Sequence, residues 1–179
     1  MRYIYSIIGA IILLISGTQS AFAQKETTIT RTILGCTLEK STQDSVVARL
    51  QELGADFAPT DPPTPGTTGL LVTGGVTFAN TTPRILFTFV EKKLALITIV
   101  IFNKTDADRI NTNLSAKYKN WEKTISYRDA GGSVVDLKTL LMHVYTYSND
   151  YKNEFIYSTL SYGDLALISK NYKVQSAEL

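Results

Sequence analysis

Strand-like runs in two stretches of this chain constrain its fold more than any other feature. One stretch extends from Leu70 to Phe102 and the other from Thr139 to Lys173. The runs read LLVTGGVTF, RILFTFV and LALITIVIF, then TLLMHVYTYS, EFIYSTLSY and LALISKNYK. Segments rich in β-branched and aromatic residues and separated by turn residues are typical of β-strands. The sequence therefore predicts a protein with much β-sheet.

A helix start precedes each set of three runs. The stretches LEKSTQD and FNKTDAD share one pattern of apolar, polar, Lys, Ser or Thr, two residues and Asp. Ser41 and Thr105 are expected to be N-caps, because their hydroxyl oxygens can accept hydrogen bonds from the first helical N–H groups. Asp44 and Asp108 would place negative charge at the positive end of each helix dipole. Each start leads into apolar residues at helical spacing.

These elements predict an α+β fold of two αβββ repeats, with the helices packed on one face of an antiparallel sheet. Residues 38–102 would form the first unit and residues 103–179 the second, within one shared globular domain. Residues 24–37 would be an N-terminal lead segment. The third runs open alike, as KLALIT and DLALIS, which supports the repeat. The run from Leu94 to Phe102 is apolar on both faces, so it is expected at the centre of the sheet.

Two connections differ from ordinary short turns. The stretch from Ala58 to Gly69 holds four of the five prolines and predicts a stiff, exposed loop. It is either a linker from helix to sheet or a protruding binding loop, since long loops are often functional. The stretch RDAGGS, from Arg128 to Ser133, predicts a turn or a mobile loop.

The first 23 residues are expected to be a secretory signal peptide. Arg2 opens the segment, an apolar core follows, and the small residues of AFA precede Gln24. This order of regions is that of an export signal cleaved after Ala23, and the apolar core is too short for a membrane span. The mature protein is therefore expected in the periplasm or outside the cell.

The single cysteine, Cys36, lies in ILGC, which matches the pattern at which bacterial lipoproteins are lipidated. A lipid anchor is not expected, because the polar segment QKETTITRT separates Cys36 from the apolar core. One cysteine cannot form an intramolecular disulfide. The remaining alternatives are a small buried residue, which is the usual environment of cysteine, and a reactive thiol.

Composition argues against several functions. The chain has 18 Lys and Arg against 16 Asp and Glu, so it lacks the basic excess of nucleic-acid-binding proteins. His143 is the only histidine, and the sequence contains no CxxC, HExxH, GxSxG, P-loop or GxGxxG motif. A nucleophile pair of Cys36 with His143 is the one formal possibility for catalysis. We therefore expect no enzyme activity, no metal and no cofactor.

The aromatic residues are distributed unevenly. All eight tyrosines that follow Ala23 lie between Tyr118 and Tyr172, whereas five of the six phenylalanines lie between Phe57 and Phe102. Tyrosine is enriched at protein interfaces because it covers much area and keeps a polar tip. A partner-binding surface is one interpretation, and tyrosines at the edge of a small core are the other. The candidate binding residues are Tyr145, Tyr147, Tyr157, Tyr162 and His143.

The stretch LGCTLEKSTQDSVVARLQELG, followed by a strand meander and then a second such unit, resembles small secreted proteins built from tandem helix-plus-sheet repeats. Examples are the β-lactamase inhibitor protein family and envelope lipoproteins of the SmpA/OmlA type. This chain departs from both at cysteine, since it lacks the disulfides of the first and the lipidated cysteine of the second. The resemblance implies a fold style and a binding role, and it assigns no function to any residue.

The sequence thus predicts an exported, non-catalytic module that binds another exported protein, such as an inhibitor of an envelope or secreted enzyme. The alternative is a structural or assembly factor of the bacterial cell envelope. An enzyme that uses Cys36 or His143 is the third interpretation.

Overall fold

One eight-stranded antiparallel sheet organises the chain in the computed structural model, which describes residues 28–62, 64–118, 120–126, 129–149 and 154–177. The expected signal peptide, with its cleavage site after Ala23, lies outside the described residues. The helices are α1 (Gln43–Glu52), α2 (Lys104–Lys117) and α3 (Leu165–Ala177). The strands are β1 (Thr32–Ile33), β2 (Cys36–Thr37), β3 (Asp56–Thr60), β4 (Thr67–Gly74), β5 (Arg84–Val90), β6 (Lys93–Ile101), β7 (Glu122–Ser126), β8 (Asp129–Val135), β9 (Thr139–Tyr147) and β10 (Phe155–Asp164).

The order of strands in the sheet is β3-β4-β5-β6-β10-β9-β8-β7. Helix α1 is followed by the meander β3 to β6, and α2 is followed by the meander β7 to β10. The two meanders join where β6 pairs antiparallel with β10. The predicted α+β class is confirmed, but four strands follow each helix where three were expected.

The proline-rich stretch accounts for the additional strand of the first half. Ala58, Pro59 and Thr60 belong to β3, and Gly69 belongs to β4, so only residues 61–66 connect the two strands. Proline has no N–H group, and it is tolerated here because β3 is an edge strand. The prediction of a long loop from Ala58 to Gly69 is therefore wrong.

The glycine pair of the second half also lies in a strand. Gly131 and Gly132 belong to β8, so the prediction of a turn there is wrong. A Cβ atom on Gly131 would clash with the backbone carbonyl of His143, and one on Gly132 would clash with the indole of Trp121. The glycines thus allow close packing within the sheet rather than a change of chain direction.

Helices α1 and α2 pack on the same face of the sheet, which we call the front face. Both contribute apolar residues to one large core. Strand β6 is fourth of the eight strands, as its two apolar faces predicted. The core includes Val46 and Leu50 of α1, Ala107, Ile110 and Leu114 of α2, and Leu70, Ile85, Phe87, Ile97, Ile99, Leu141 and Leu160 of the sheet.

Helix α3 packs on the opposite face, which we call the back face, near the end of the sheet where β10 ends. Leu167 contacts Val90 and Ala95 there. The two predicted helices share one face as expected. The expectation that LALISKNYK forms a strand is wrong, because this segment forms the additional helix α3 on the other face. The carboxylate of Asp164 accepts a hydrogen bond from the N–H of Leu167 at 2.9 Å, which caps the start of a helix.

The two predicted helix starts are nearly correct, but the caps lie elsewhere. Thr42 caps α1 and exchanges reciprocal hydrogen bonds with Ser45. The hydroxyl of Ser41 instead accepts a hydrogen bond from the N–H of Thr37 in β2. Asn103 caps α2, two residues before the expected Thr105, and its amide oxygen accepts the N–H of the third helical residue.

The described part of the lead segment forms the β1–β2 hairpin and is fastened to the second half. The guanidinium of Arg31 lies 2.6 Å from the buried carboxylate of Asp164 and also donates to the Thr139 hydroxyl. The N–H of Ile29 donates to the Asp136 carboxylate at 2.9 Å. Ile29 and Arg31 therefore help to hold in place the turn before β9 and the start of α3.

Candidate functional site

The five predicted binding residues do not share one surface. His143, Tyr145 and Tyr147 lie on the front face, as their alternation predicted, but His143 and Tyr145 are buried. Tyr162 is also buried on the front face. Tyr157 pairs with Thr146, which lies between the front-facing Tyr145 and Tyr147, so Tyr157 lies on the back face.

His143 joins three elements from inside the core. Its side chain has no exposed area. Its Nε2 atom lies 3.0 Å from the hydroxyl of Ser158 on β10, and its Nδ1 atom lies 3.4 Å from the amide oxygen of Asn111 on α2. With the Asn111 oxygen as acceptor, Nδ1 carries the proton and Nε2 accepts from the Ser158 hydroxyl. Both ring nitrogens of a neutral imidazole then have a partner.

The electrostatic environment keeps this imidazole neutral. Burial lowers the pKa of His143 to about 4, and the negative charge of Asp108 opposes the shift only in part. A positive charge would be costly at this position, because the surrounding protein replaces water. His143 is therefore uncharged at neutral pH.

Tyr145 extends the polar network toward solvent. Its ring lies 4.8 Å from the ring of His143, and its hydroxyl is hydrogen-bonded to the Asp108 carboxylate. Burial, followed by the charge and hydrogen bond of Asp108, raises the pKa of Tyr145. The same carboxylate lies 2.6 Å from the ammonium group of Lys104, and both of these side chains are about half exposed.

Tyr147 marks the outer end of this aromatic row. Its ring stacks with that of Tyr145 at 6.5 Å and meets the ring of Phe155 edge-on at 6.0 Å. Tyr162 lies in the core, where burial raises the pKa of its phenol. Three of the four candidate tyrosines therefore contribute to packing on the front face.

The hydroxyl of Ser158, the imidazole of His143 and the amide of Asn111 form a hydrogen-bonded row in space. In some enzymes, such a row consists of a nucleophile, its general base and the group that orients the base. Neither Ser158 nor His143 has exposed area, so the structure offers a substrate no route to the hydroxyl. In the part of the chain that the structure describes, no three His, Cys, Asp or Glu side chains are arranged to hold a metal ion. The network is suited to fixing α2 on the sheet.

Cys36 is buried in the core, with 1% of its surface exposed. Burial raises the pKa of its thiol to about 11, although the nearby charge of Arg49 acts in the opposite direction. A protonated, inaccessible thiol is a poor nucleophile. The hydrogen bonds of His143 are made with Ser158 and Asn111, so the Cys36–His143 pair considered from the sequence is not formed.

An exposed cluster lies on the back face, at the end of the sheet opposite α3. The guanidinium carbon of Arg84 lies 5.3 Å from the centre of the Phe102 ring, and the Tyr157 ring meets Phe102 edge-on at 6.4 Å. Phe102 is 52% exposed. We call Arg84, Phe102 and Tyr157 the Arg84 patch.

The sequence pattern points only to Tyr157 of the Arg84 patch. It places Phe102 at the end of a strand and gives no functional signal at Arg84. Their proximity follows from the pairing of Arg84 with Val100, which aligns the start of β5 with the end of β6. One feature of the sequence does indicate an exposed ring at Phe102. This residue directly precedes the Asn103 helix cap, where the chain leaves the sheet, so no neighbouring strand covers its side chain.

No protein-family model matches this chain, and no curated protein or solved structure is significantly similar to it. Within the described ranges, the helices are too short or too polar to cross a membrane. The buried His143 network and the exposed Arg84 patch are therefore the observations on which a function can be proposed.

Proposed function

We propose that this chain is an exported, non-catalytic protein-binding module, of the kind that inhibits an envelope or secreted enzyme. The Arg84 patch is the observation that carries the proposal. Arginine and aromatic residues dominate the energetics of protein interfaces, and here they meet on three adjacent strands. The buried polar network supports a binding role, because its hydroxyl and imidazole have no access to a substrate.

The framework around the Arg84 patch is suited to rigid presentation. Arg84 lies at the start of β5, Phe102 directly follows β6, and Tyr157 lies near the start of β10. These strands are neighbours at the centre of the sheet, and their front-facing residues belong to the large core. A surface that is already ordered loses little conformational entropy when it binds a partner.

We also propose that the two halves are tandem repeats of a helix-plus-meander unit. The order of elements supports this, since one helix precedes four antiparallel strands in each half. The sheet order, in which the last strands of both meanders meet at the centre, is the arrangement that two related units would produce. The Arg84 patch lies across that central junction.

The test is a pull-down from the envelope and secreted fractions of the host, with the full chain carrying a carboxyl-terminal tag. Two variants accompany the wild type. Phe102→Ser removes the exposed ring of the Arg84 patch. Leu137→Ser is the matched control, because Leu137 is 90% exposed on the turn between β8 and β9.

We expect a protein that the wild type and Leu137→Ser capture and that Phe102→Ser loses. Capture that all three chains share equally would contradict the assignment of the surface. If a well-folded wild-type chain captures nothing from either fraction, the protein-binding proposal is wrong.

A further inference from the structure

The arginines of the described chain differ in how their charge is balanced. Arg31 forms an ion pair with Asp164, Arg49 with Glu52, and Arg109 with Asp106. Arg84 is exposed and lies on the Phe102 ring instead, and among the described residues no carboxylate lies within 4.0 Å of it. One positive charge on the Arg84 patch is thus not compensated by the described chain.

The aromatic contact also restricts the geometry in which this charge can be recognised. The Phe102 ring covers the guanidinium of Arg84 on one side, and the edge contact with Tyr157 supports that ring. Guanidinium N–H groups lie in the plane of the group, where they can donate two parallel hydrogen bonds to one carboxylate. Phe102, which is 52% exposed, provides apolar area beside that position.

We propose that the Arg84 patch binds an acidic segment of a partner protein, in which an Asp or Glu carboxylate pairs with Arg84 and an adjacent apolar side chain packs on Phe102. This inference rests on the proposed protein-binding function and names the chemistry of the partner. A single uncompensated arginine favours such a segment over nucleic acid or an anionic membrane, since those ligands require clusters of basic residues.

The test is selection of peptides from a random phage-displayed library on the immobilised full chain. The wild type is compared with Arg84→Glu and with Lys40→Glu, which makes the same charge change at an exposed lysine outside the Arg84 patch. Thermal unfolding establishes that each immobilised chain is folded. We expect the wild type and Lys40→Glu to select peptides that contain Asp or Glu beside an apolar residue, and Arg84→Glu to select Lys or Arg instead.

Affinity measurements on a selected peptide complete the test. Arg84→Ala should weaken binding by about tenfold or more, as expected for an arginine at the centre of an interface. Exchanging the acidic residue of the peptide for Lys should weaken binding to the wild type and restore binding to Arg84→Glu. Arg84→Gln provides a second neutral variant if Arg84→Ala is poorly folded.

The contrary outcomes separate this inference from the function on which it rests. Two results would overturn the acidic-partner inference and leave a protein-binding role in place. One is selected peptides that contain no Asp or Glu but lose binding to the Phe102→Ser variant. The other is selected peptides that bind Arg84→Glu as tightly as the wild type. If no peptide is selected by any folded chain, both the inference and the proposed function are contradicted.

Discussion

The two halves of the front face have the same architecture but different chemistry. In the half that follows α1, the sheet presents buried Phe87, Phe89 and neighbouring aliphatic side chains. In the half that follows α2, it presents buried His143 and Tyr145. One arrangement of a helix on four strands can therefore be stabilised either by apolar packing or by packing combined with hydrogen bonds.

The difference has physical consequences for each half. Apolar packing tolerates changes of pH, and its weak point is the loss of volume. A buried hydrogen-bonded network fixes side chains in one arrangement, but it loses stability when one member is removed or changes its charge. The following predictions test this contrast, in order of decreasing effect.

The largest effect is expected from Phe87→Ala in the apolar half. Phe87 is fully buried, so the variant should lose about 3–5 kcal/mol of unfolding free energy through lost burial and a residual cavity. Chemical denaturation measures this loss. The control is Leu86→Ala, because Leu86 is a half-buried neighbour on the back face, for which we expect a clearly smaller loss. Equal losses would contradict the assignment of the core to the front face.

The second effect is a pH dependence that only the polar half should show. The pKa of His143 is about 4 when folded and about 6.5 in an unfolded chain, so the unfolded state alone gains the proton as pH falls between these values. The unfolding free energy should therefore fall by about 3 kcal/mol from pH 6.5 to pH 4 through this residue. Below the folded pKa, this contribution no longer changes.

The measurement is denaturation across that pH range for the wild type and for His143→Leu. Carboxylates titrate in both proteins, so the difference between the two curves isolates the imidazole. Parallel curves would show that His143 is not held neutral by its surroundings.

The third effect concerns the same residue at neutral pH. His143→Leu should lower the unfolding free energy by about 1–3 kcal/mol, because it leaves the buried Ser158 hydroxyl without its partner. Adding Ser158→Ala should recover part of that loss, since the unpaired hydroxyl is then removed. If the double variant is as unstable as the sum of the two single variants, the hydrogen bond contributes nothing and the packing of the imidazole ring is what matters.

The two segments that read LALI show how far local sequence determines this fold. Leu94–Ile97 lies in β6, whereas Leu165–Ile168 opens α3. The strand follows a tight turn in which Glu91 and Lys92 have positive φ, and it continues into β-branched residues. The helix follows the capping carboxylate of Asp164. The sequence similarity predicted one structure for both, and the flanking residues determine the difference.

The local sequence also predicted only part of the candidate site. Alternation along β9 correctly placed His143, Tyr145 and Tyr147 on one face. Alternation does not say which face a helix covers, so the burial of His143 and Tyr145 was not predictable. Alternation along β10 also predicts that Tyr157 and Tyr162 lie on opposite faces, as they do. Which of the two shares a face with Tyr145 depends on long-range strand pairing rather than on the local pattern.

The smallest effect is expected at the solvent end of the polar network. Tyr145→Phe keeps the buried ring and removes only the hydroxyl that is hydrogen-bonded to Asp108. The loss should be about 0.5–1.5 kcal/mol, because the Asp108 carboxylate is half exposed and can accept a hydrogen bond from water instead. Chemical denaturation at neutral pH measures it, and Tyr147→Phe, at a half-buried position farther out, should change stability less. A loss as large as that of His143→Leu would mean that the network acts as one unit from Ser158 to Asp108. The contrast between the two halves would then concern cooperativity as well as polarity.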